Sequence, residues 1–348
     1  MRIATHQGHA KTIERPEDEL HRSKAGVDWA STRSRSARIH VEGNFGRTRD
    51  DKGGMGQHQV WFLLLSSYPL SLITARETRI LKAGSQHGLG VLGGWPDDEW
   101  GLLIGRVRTL LSTLRTKLHL KRSMKEGRRG VFDAITAGIS LGCGQQVPMQ
   151  FSHSEHNAAL LDEFFANPDV QRIARSQEYL LQAFYGKLHA LYTWVLDRVI
   201  EDGEGLKRNY PKTCFAATTL NMDRACTLKH VDHLNLFCGL CAVFNVGDFD
   251  YEKGGHLVLW DLGLVLEFPP GCTVLFPSVL IAHSNTPIEV HETRSSITQF
   301  TAAGLFRWVH NGCMTDKEYG QYANVRQKKA RAQHRENLSS MGLDLLSL

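Results

Sequence analysis

The chain has 348 residues, of which 42% are hydrophobic and 22% charged, and its formal net charge is +5. That composition excludes a disordered polyampholyte, a collagenous repeat and a disulfide miniprotein, and it leaves room for one large folded unit with a sizeable core. A mild positive charge permits a nucleic acid partner without demanding one.

Residues 1–59 are polar, rich in Arg, Ser, His and Gly, and poorly periodic, so a disordered or loosely attached arm is expected. Glu17, Asp18 and Glu19 argue against a mitochondrial leader, which avoids acids. The longest apolar stretch, 60–73, is too short to span a bilayer and contains Pro69. No membrane anchor is expected. The seven cysteines are dispersed and read as reduced thiols of an intracellular protein. Cys238 and Cys241 have the spacing of a redox or zinc pair but lie in an apolar run, so they read as two small core residues.

A helical region follows the break at Gly93-Gly94-Trp95-Pro96. Over 97–120, Trp100, Leu103, Ile104, Val107, Leu111, Leu114 and Leu118 recur at spacings of three and four, the stripe of an amphipathic helix. Arg106, Arg108, Arg115 and Lys117 lie off that stripe, and the basic run continues to Arg129. Such a run is either a solvated face or a phosphate-tracking one. Two more helices are expected at 157–165 and 170–200, separated by Asn167-Pro168.

From about Phe215 the texture becomes short β-rich runs, at 215–220, 236–246, 256–260, 264–268, 273–276, 280–283 and 294–301. Turn residues punctuate them at 250–255, 269–271 and 285–287. Many short strands at close spacing indicate a sandwich or barrel. A basic, peripheral helix is expected over 316–338. The expected division is therefore an arm at 1–59, a main domain at 60–312 with a helical part at 93–200 and a β core at 213–309, and a basic tail at 313–348.

His230-Val231-Asp232 carries the chemistry. On an extended segment two residues at that spacing point the same way. With His283 from a later strand they can form a two-His, one-carboxylate facial triad, which suits iron(II) and leaves positions open for a co-substrate and dioxygen. His233, His256 and His291 are competing ligands; His233 points away from Asp232, and His256 opens a strand. Arg294 follows His283 by eleven positions (294 − 283), and its guanidinium fork matches a carboxylate. Ser296 and Thr298 share its strand face.

Several segments together resemble the Tet-like (TET/JBP) 2-oxoglutarate/iron(II) oxygenases, and within them the fungal, transposon-associated branch. These are Cys226-x-x-x-His230-x-Asp232-x-x-Asn235, the run Gly254-Gly255-His256-Leu257-Val258-Leu259-Trp260-Asp261-Leu262, Phe268-Pro269-Pro270-Gly271, His283-Ser284-Asn285 and the strand from Arg294 to Phe300. Arg128-Arg129-Gly130-Val131-Phe132, Gly138-Ile139-Ser140 and the segment from Gly304 to Val309 extend the likeness, which spans roughly 93–312.

The resemblance implies an α+β fold, a double-stranded β-helix (a cupin-like jelly roll) with flanking helices. It implies Fe(II) on His230, Asp232 and His283, and 2-oxoglutarate on Arg294, with Ser296 and Thr298 as further candidate contacts. A second co-substrate contact would come from Arg128 or Arg129. Dioxygen completes the set. The implied substrate is 5-methylcytosine in DNA, with Asn235 and Phe300 near the base, and the implied location is the nucleus. Animal members carry a base-contacting His two positions beyond the aromatic; here that position is Ala302. Two alternatives stay open: a prolyl-type protein hydroxylase of the same superfamily, and an inactive transposon-derived nucleic-acid-binding module.

Overall fold

A computed structural model describes residues 98–346 apart from Cys143, together with strands at 11–14, 38–43, 62–64, 72–73, 78–82 and 88–94. The early strands are β1 (Lys11–Glu14), β2 (Arg38–Gly43), β3 (Phe62–Leu64), β4 (Leu72–Ile73), β5 (Thr78–Lys82) and β6 (Gly88–Gly94). After α1 (Asp98–Lys117) come β7 (Glu126–Gly127), β8 (Gly130–Val131), β9 (Asp133–Ser140) and β10 (Met149–Gln150). Three helices follow, α2 (Glu155–Ala166), α3 (Pro168–Phe184) and α4 (Gly186–Asp202). The β core comprises β11 (Ala217–Met222), β12 (Cys241–Asp248), β13 (Leu257–Leu259), β14 (Leu264–Leu266), β15 (Cys272–Phe276), β16 (His283–Asn285) and β17 (Thr293–Phe300). The chain closes with α5 (Ala303–His310), α6 (Asp316–Tyr322) and α7 (Val325–Leu345).

Ten strands form the large sheet, in the order β1-β2-β5-β6-β15-β12-β17-β11-β9-β10, and five form the small one, β16-β13-β14-β3-β4. From β12 onward the chain alternates between them: β12 in the large sheet, the β13–β14 hairpin in the small, β15 large, β16 small, β17 large. That alternation, with antiparallel pairing throughout, makes a double-stranded β-helix. Of the expected N-terminal arm, β1 and β2 pair with each other and β2 pairs with β5. The rest of 1–59 lies outside the described residues.

Leucines of β13 and β14 meet Val274 and Phe276 of β15 and Phe268 between the two sheets. The outer face of the large sheet is covered by helices. Trp100, Leu103, Val107, Leu111 and Leu114 of α1 are buried against Leu220, Phe244 and Ile297. The Trp100 indole N–H donates to the Gly271 carbonyl at 3.0 Å, and its ring meets Phe244 edge-on at 5.9 Å. α3 starts where Asn167 caps it by accepting the Asp169 and Val170 amides, with Pro168 behind it. Its Gln177 is fully buried and donates to the carbonyls of Ala242 and Ile297, tying the helix to two adjacent strands.

Several expected boundaries shift. The helix expected over 170–200 is two helices, because the chain leaves helical torsions at Tyr185, whose ring is wholly buried. Trp194 of α4 is 54% exposed and lies off the buried face of that helix. The run 236–246 is a strand only from Cys241, since turns occupy the residues before it. Leu280 and Ile281 turn back onto the Pro277 carbonyl and the Ala282 amide donates to Asp261, so that strand begins at His283. The expected C-terminal helix is broken between α6 and α7; over 325–338 it is largely exposed, and only beyond that range does the chain dock, with Leu346 2% exposed and packed with the α3–α4 core and Lys187 paired with Asp344. Much of the basic face of α1 is neutralised, Arg106 by Asp169, Arg108 by Asp248, and Arg115 by Asp133 and Asp223. Among the described residues no helix is long and apolar enough to cross a membrane.

Gly138 of β9 sits at φ 106°, and a Cβ there would lie 2.3 Å from the Ala216 carbonyl oxygen. Left-handed strain and a backbone collision add, so Gly138→Ala is expected to destabilise the fold by about 2–3 kcal/mol, read as a lowered urea midpoint.

Candidate metal centre

His230 and His283 are far apart in sequence yet face each other as a single antiparallel bridge. The His230 amide donates to the His283 carbonyl at 3.0 Å and the His283 amide to the His230 carbonyl at 2.9 Å. This reciprocal pair sets the two imidazoles side by side, ring centres 4.2 Å apart. Asp232 is held by its amide, which donates to the Ser278 carbonyl at 2.9 Å. Behind His283, Asp261 accepts the Ala282 amide at 2.5 Å, and Phe276 presents its ring at 79° to the imidazole.

Both histidines use the same local device. Nδ1 of His230 lies 2.7 Å from the Leu228 carbonyl, and Nδ1 of His283 lies 2.9 Å from the Ile281 carbonyl. A carbonyl only accepts, so each Nδ1 carries the proton and each Nε2 presents a lone pair. Those Nε2 atoms lie 3.7 and 3.9 Å from the two Asp232 carboxylate oxygens. Two lone pairs and an anion thus face one another with no proton between them. An ion about 2 Å from each would fill that gap, and two imidazoles with one carboxylate suit ferrous iron. Burial, together with His283, lowers the His230 pKa to about 4, and burial also lowers that of His283. Both rings are therefore neutral and able to ligate at neutral pH.

The same cavity is lined by Arg294, Ser296 and Thr298 of β17. Arg294 is 2% exposed; its Nε donates to the Gly255 carbonyl at 3.2 Å and its Nη1 to the Ala225 carbonyl at 2.6 Å. Desolvation lowers its pKa to about 10, which leaves it charged. Among the described residues no carboxylate forms an ion pair with it. A buried cation whose hydrogen bonds go to carbonyls, with the Phe268 ring 5.8 Å away, is a site for an anion.

Asn221 was not singled out in the sequence. Its side chain links three cavity residues: it accepts from Arg129 at 3.3 Å and donates to Ser296 at 3.0 Å and to Thr298 at 3.5 Å. Arg129, one of two candidates for a second co-substrate contact, thus lines the cavity; Arg128 does not, and donates to the Val231 carbonyl. Thr227, also unforeseen, and Asn285, which stands in the resemblance motif but without an expected role, line it and bond each other at 3.0 Å. A lone Asn or Thr carries no periodic or spacing signal, so only the fold reveals Asn221 and Thr227.

Asn235 and Phe300 do not line the cavity. Asn235 donates to Ser278 at 3.2 Å, and Phe300 packs partly buried against the inter-sheet core. Of the competing ligands, His233 and His291 are exposed, and His256 bonds the Tyr251 carbonyl at 2.8 Å. Cys238 and Cys241 are buried free thiols whose pKa burial pushes up to about 12, as expected of core residues.

No protein-family profile matches the chain, and no curated protein does. Solved structures do. NgTET1 in complex with 5mC DNA matches with a TM-score of 0.45 and 16% identity over 63% of this chain and 74% of that one. A 2OG-Fe(II) oxygenase family oxidoreductase from Burkholderia pseudomallei matches with a TM-score of 0.32 and 14% identity over 61% and 84%. A prolyl-4-hydroxylase from Pseudomonas putida matches with a TM-score of 0.27 and 17% identity over 62% and 92%.

The depressed histidine pKa values set a pH dependence for the metal-free protein. Below pH about 6.5 the unfolded chain takes up protons that buried His230 refuses until about pH 4. Stability is therefore full above the unfolded pKa and falls as pH drops between those values. The melting temperature of the metal-stripped protein should decline over that window, and the decline should be shallower in His230→Gln.

Proposed function

We propose that the chain is an iron(II)- and 2-oxoglutarate-dependent dioxygenase that hydroxylates a C–H bond, with the 5-methyl group of 5-methylcytosine in DNA as its substrate. The observation that carries the reading is the pairing of two imidazole lone pairs and a carboxylate, at 3.7 and 3.9 Å, with a buried cation lacking a carboxylate partner in one cavity. When bound, iron and the keto acid together activate dioxygen for C–H hydroxylation, the keto acid leaving as succinate and carbon dioxide.

The protein's part is binding and orientation. His230, Asp232 and His283 hold the metal. Arg294 takes the far carboxylate of 2-oxoglutarate, and the hydroxyls of Ser296 and Thr298 on the same strand face are positioned by Asn221. Arg129 provides a second cation at the cavity wall. Asp232, with 26% of its side chain exposed against 2% and 8% for the histidines, marks the solvent-facing side from which substrate enters.

A polyanionic substrate is favoured by the segment beside that opening. Lys121, Lys125 and Arg128 are exposed and form no ion pair among the described residues, while Arg128 reaches the carbonyl of Val231, between the ligands His230 and Asp232. The phosphate-tracking part of the basic run is thus 121–128, not the neutralised face of α1. A base in a duplex must be flipped to reach such a site, at a cost of a few kcal/mol. Asn235 and Phe300 are proposed to meet it at the rim. Ala302 bridges to Asn235 there, so base choice rests on contacts other than the histidine of animal members. A nuclear location and kinship with the transposon-associated branch fit this substrate.

Incubation with iron(II), 2-oxoglutarate and methylated duplex DNA should yield succinate and 5-hydroxymethylcytosine in step. Asp232→Ala should lower the rate at least about 100-fold. Arg294→Met removes a charge-assisted contact worth about 1.5–3 kcal/mol and should raise half-saturating 2-oxoglutarate roughly 10- to 100-fold. Equal succinate from Asp232→Ala would end the catalytic assignment. Succinate without the modified base, restored by a peptide, would keep the oxygenase and remove DNA.

A further inference from the structure

A second set of donor side chains converges within the helical layer, away from the β-core cavity. Glu178 lies in the last turns of α3, His189 in the first turn of α4 and Cys214 on the segment that enters β11. Their ligand atoms all lie within 4.8 Å of one another. His189 Nε2 and Glu178 Oε1 are 3.0 Å apart. An ordinary His–Glu contact accounts for that distance but not for a thiol completing the triangle. Cys214 is 0% exposed and packed among Leu181, Leu188 and Phe215, whereas the side chains of Glu178 and His189 are each 16% exposed. The cluster is therefore a cup with the sulfur at its base and two ligands at a narrow opening.

Among the described residues no Lys or Arg forms an ion pair with Glu178, although the charge of Arg208 acts on both Glu178 and Cys214. Arg208, the nearby basic group, is turned to Asp197 and to the Thr213 carbonyl. Glu178 is held above the usual carboxylate range, chiefly by burial, the condition a cation would relieve. Donor chemistry separates this set from the first. A thiolate with one imidazole and one carboxylate suits zinc, at about 2.3 Å from sulfur and 2.0–2.2 Å from nitrogen or oxygen. Donors around a tetrahedral ion of that size stand roughly 3.5 Å apart, within the observed spread.

We propose that Glu178, His189 and Cys214 form a second metal site, one that takes a thiophilic divalent cation, zinc foremost, with water as its fourth ligand. On binding, the Cys214 thiol gives its proton to solvent, and the cation replaces the contact between His189 and Glu178. The ion joins α3 to α4 across the Tyr185 elbow and both to the entry of β11. That junction already holds a polar chain, because Thr213 donates to Gln299, and Gln299 donates to Gln177, the neighbour of Glu178. The role is a clamp on the helical layer behind the large sheet, independent of the oxygenase assignment.

The test uses the full chain with His230→Ala and Asp232→Ala, so that the first centre takes no metal, under reducing conditions after chelator treatment. Zinc alone is added, and bound metal is counted after gel filtration. One equivalent is expected, with a raised melting temperature. Cobalt(II) in its place should show a thiolate charge-transfer band. Cys214→Ser and the partly exposed His189→Gln should each lose the equivalent and the band, while Cys241→Ser keeps both. Circular dichroism shows whether each variant is folded. Absence of retained zinc, retention unchanged in both variants, or cobalt bound without the band would overturn the site.

Discussion

The candidate centre depends on one pair of backbone hydrogen bonds, those exchanged between His230 and His283. They join a loop to the short strand β16, and they do so without help from any regular strand on the His230 side. Because they are main-chain bonds they fix position whatever the side chains do. The side chains then inherit their orientation from the i−2 carbonyls of Leu228 and Ile281, which set both tautomers. Metal-binding competence is thus built in two stages, backbone first and proton placement second. Asp232 is the looser partner, anchored through the Ser278 carbonyl and more open to solvent.

The cavity around this pair is an exception within a dry interior. The leucines of β13 and β14 and Phe268 and Phe276 exclude water from the inter-sheet space, and Arg294 is buried at its edge. Low polarisability there strengthens any interaction between the guanidinium and an anion. Asn221 sits at the hinge of the polar half, touching Arg129, Ser296 and Thr298 at once. A satisfied network of that kind fixes hydroxyl directions as well as positions.

What was legible in the sequence follows the physics of each signal. The α1 stripe was clear, and six of its seven named residues are buried, because a helix against a sheet imposes a 3.6-residue period. His230, Asp232, His283 and Arg294 line one cavity; period two aims His230 and Asp232 the same way, whereas His283 is brought in by the backbone bridge to His230. Strand β9 carries no strand signature in sequence, because Ala, Thr, Gly and Ser in Asp133–Ser140 give no alternation of large apolar residues. α5 carries no start signal in sequence, because its N-cap is Ala302, which has no side-chain group to cap it. The Tyr185 break and the docking of Leu346 are tertiary outcomes, decided by cavities that exist only once the helices pack. Asn221 belongs to the same class, as does the salt-bridging that quiets the basic face of α1.

β17 serves two masters. Arg294, Ser296 and Thr298 look into the cavity, while Ile297 and Gln299 look the other way, into the contacts of α1 and α3. The strand is paired on both sides, to β11 and β12, so it cannot slide to make room. Loss or gain of a single residue within it would turn the ligand face and the helix face inside out together. Length variation over evolutionary time is therefore confined to the turns on either side, and this eight-residue segment can change by replacement only.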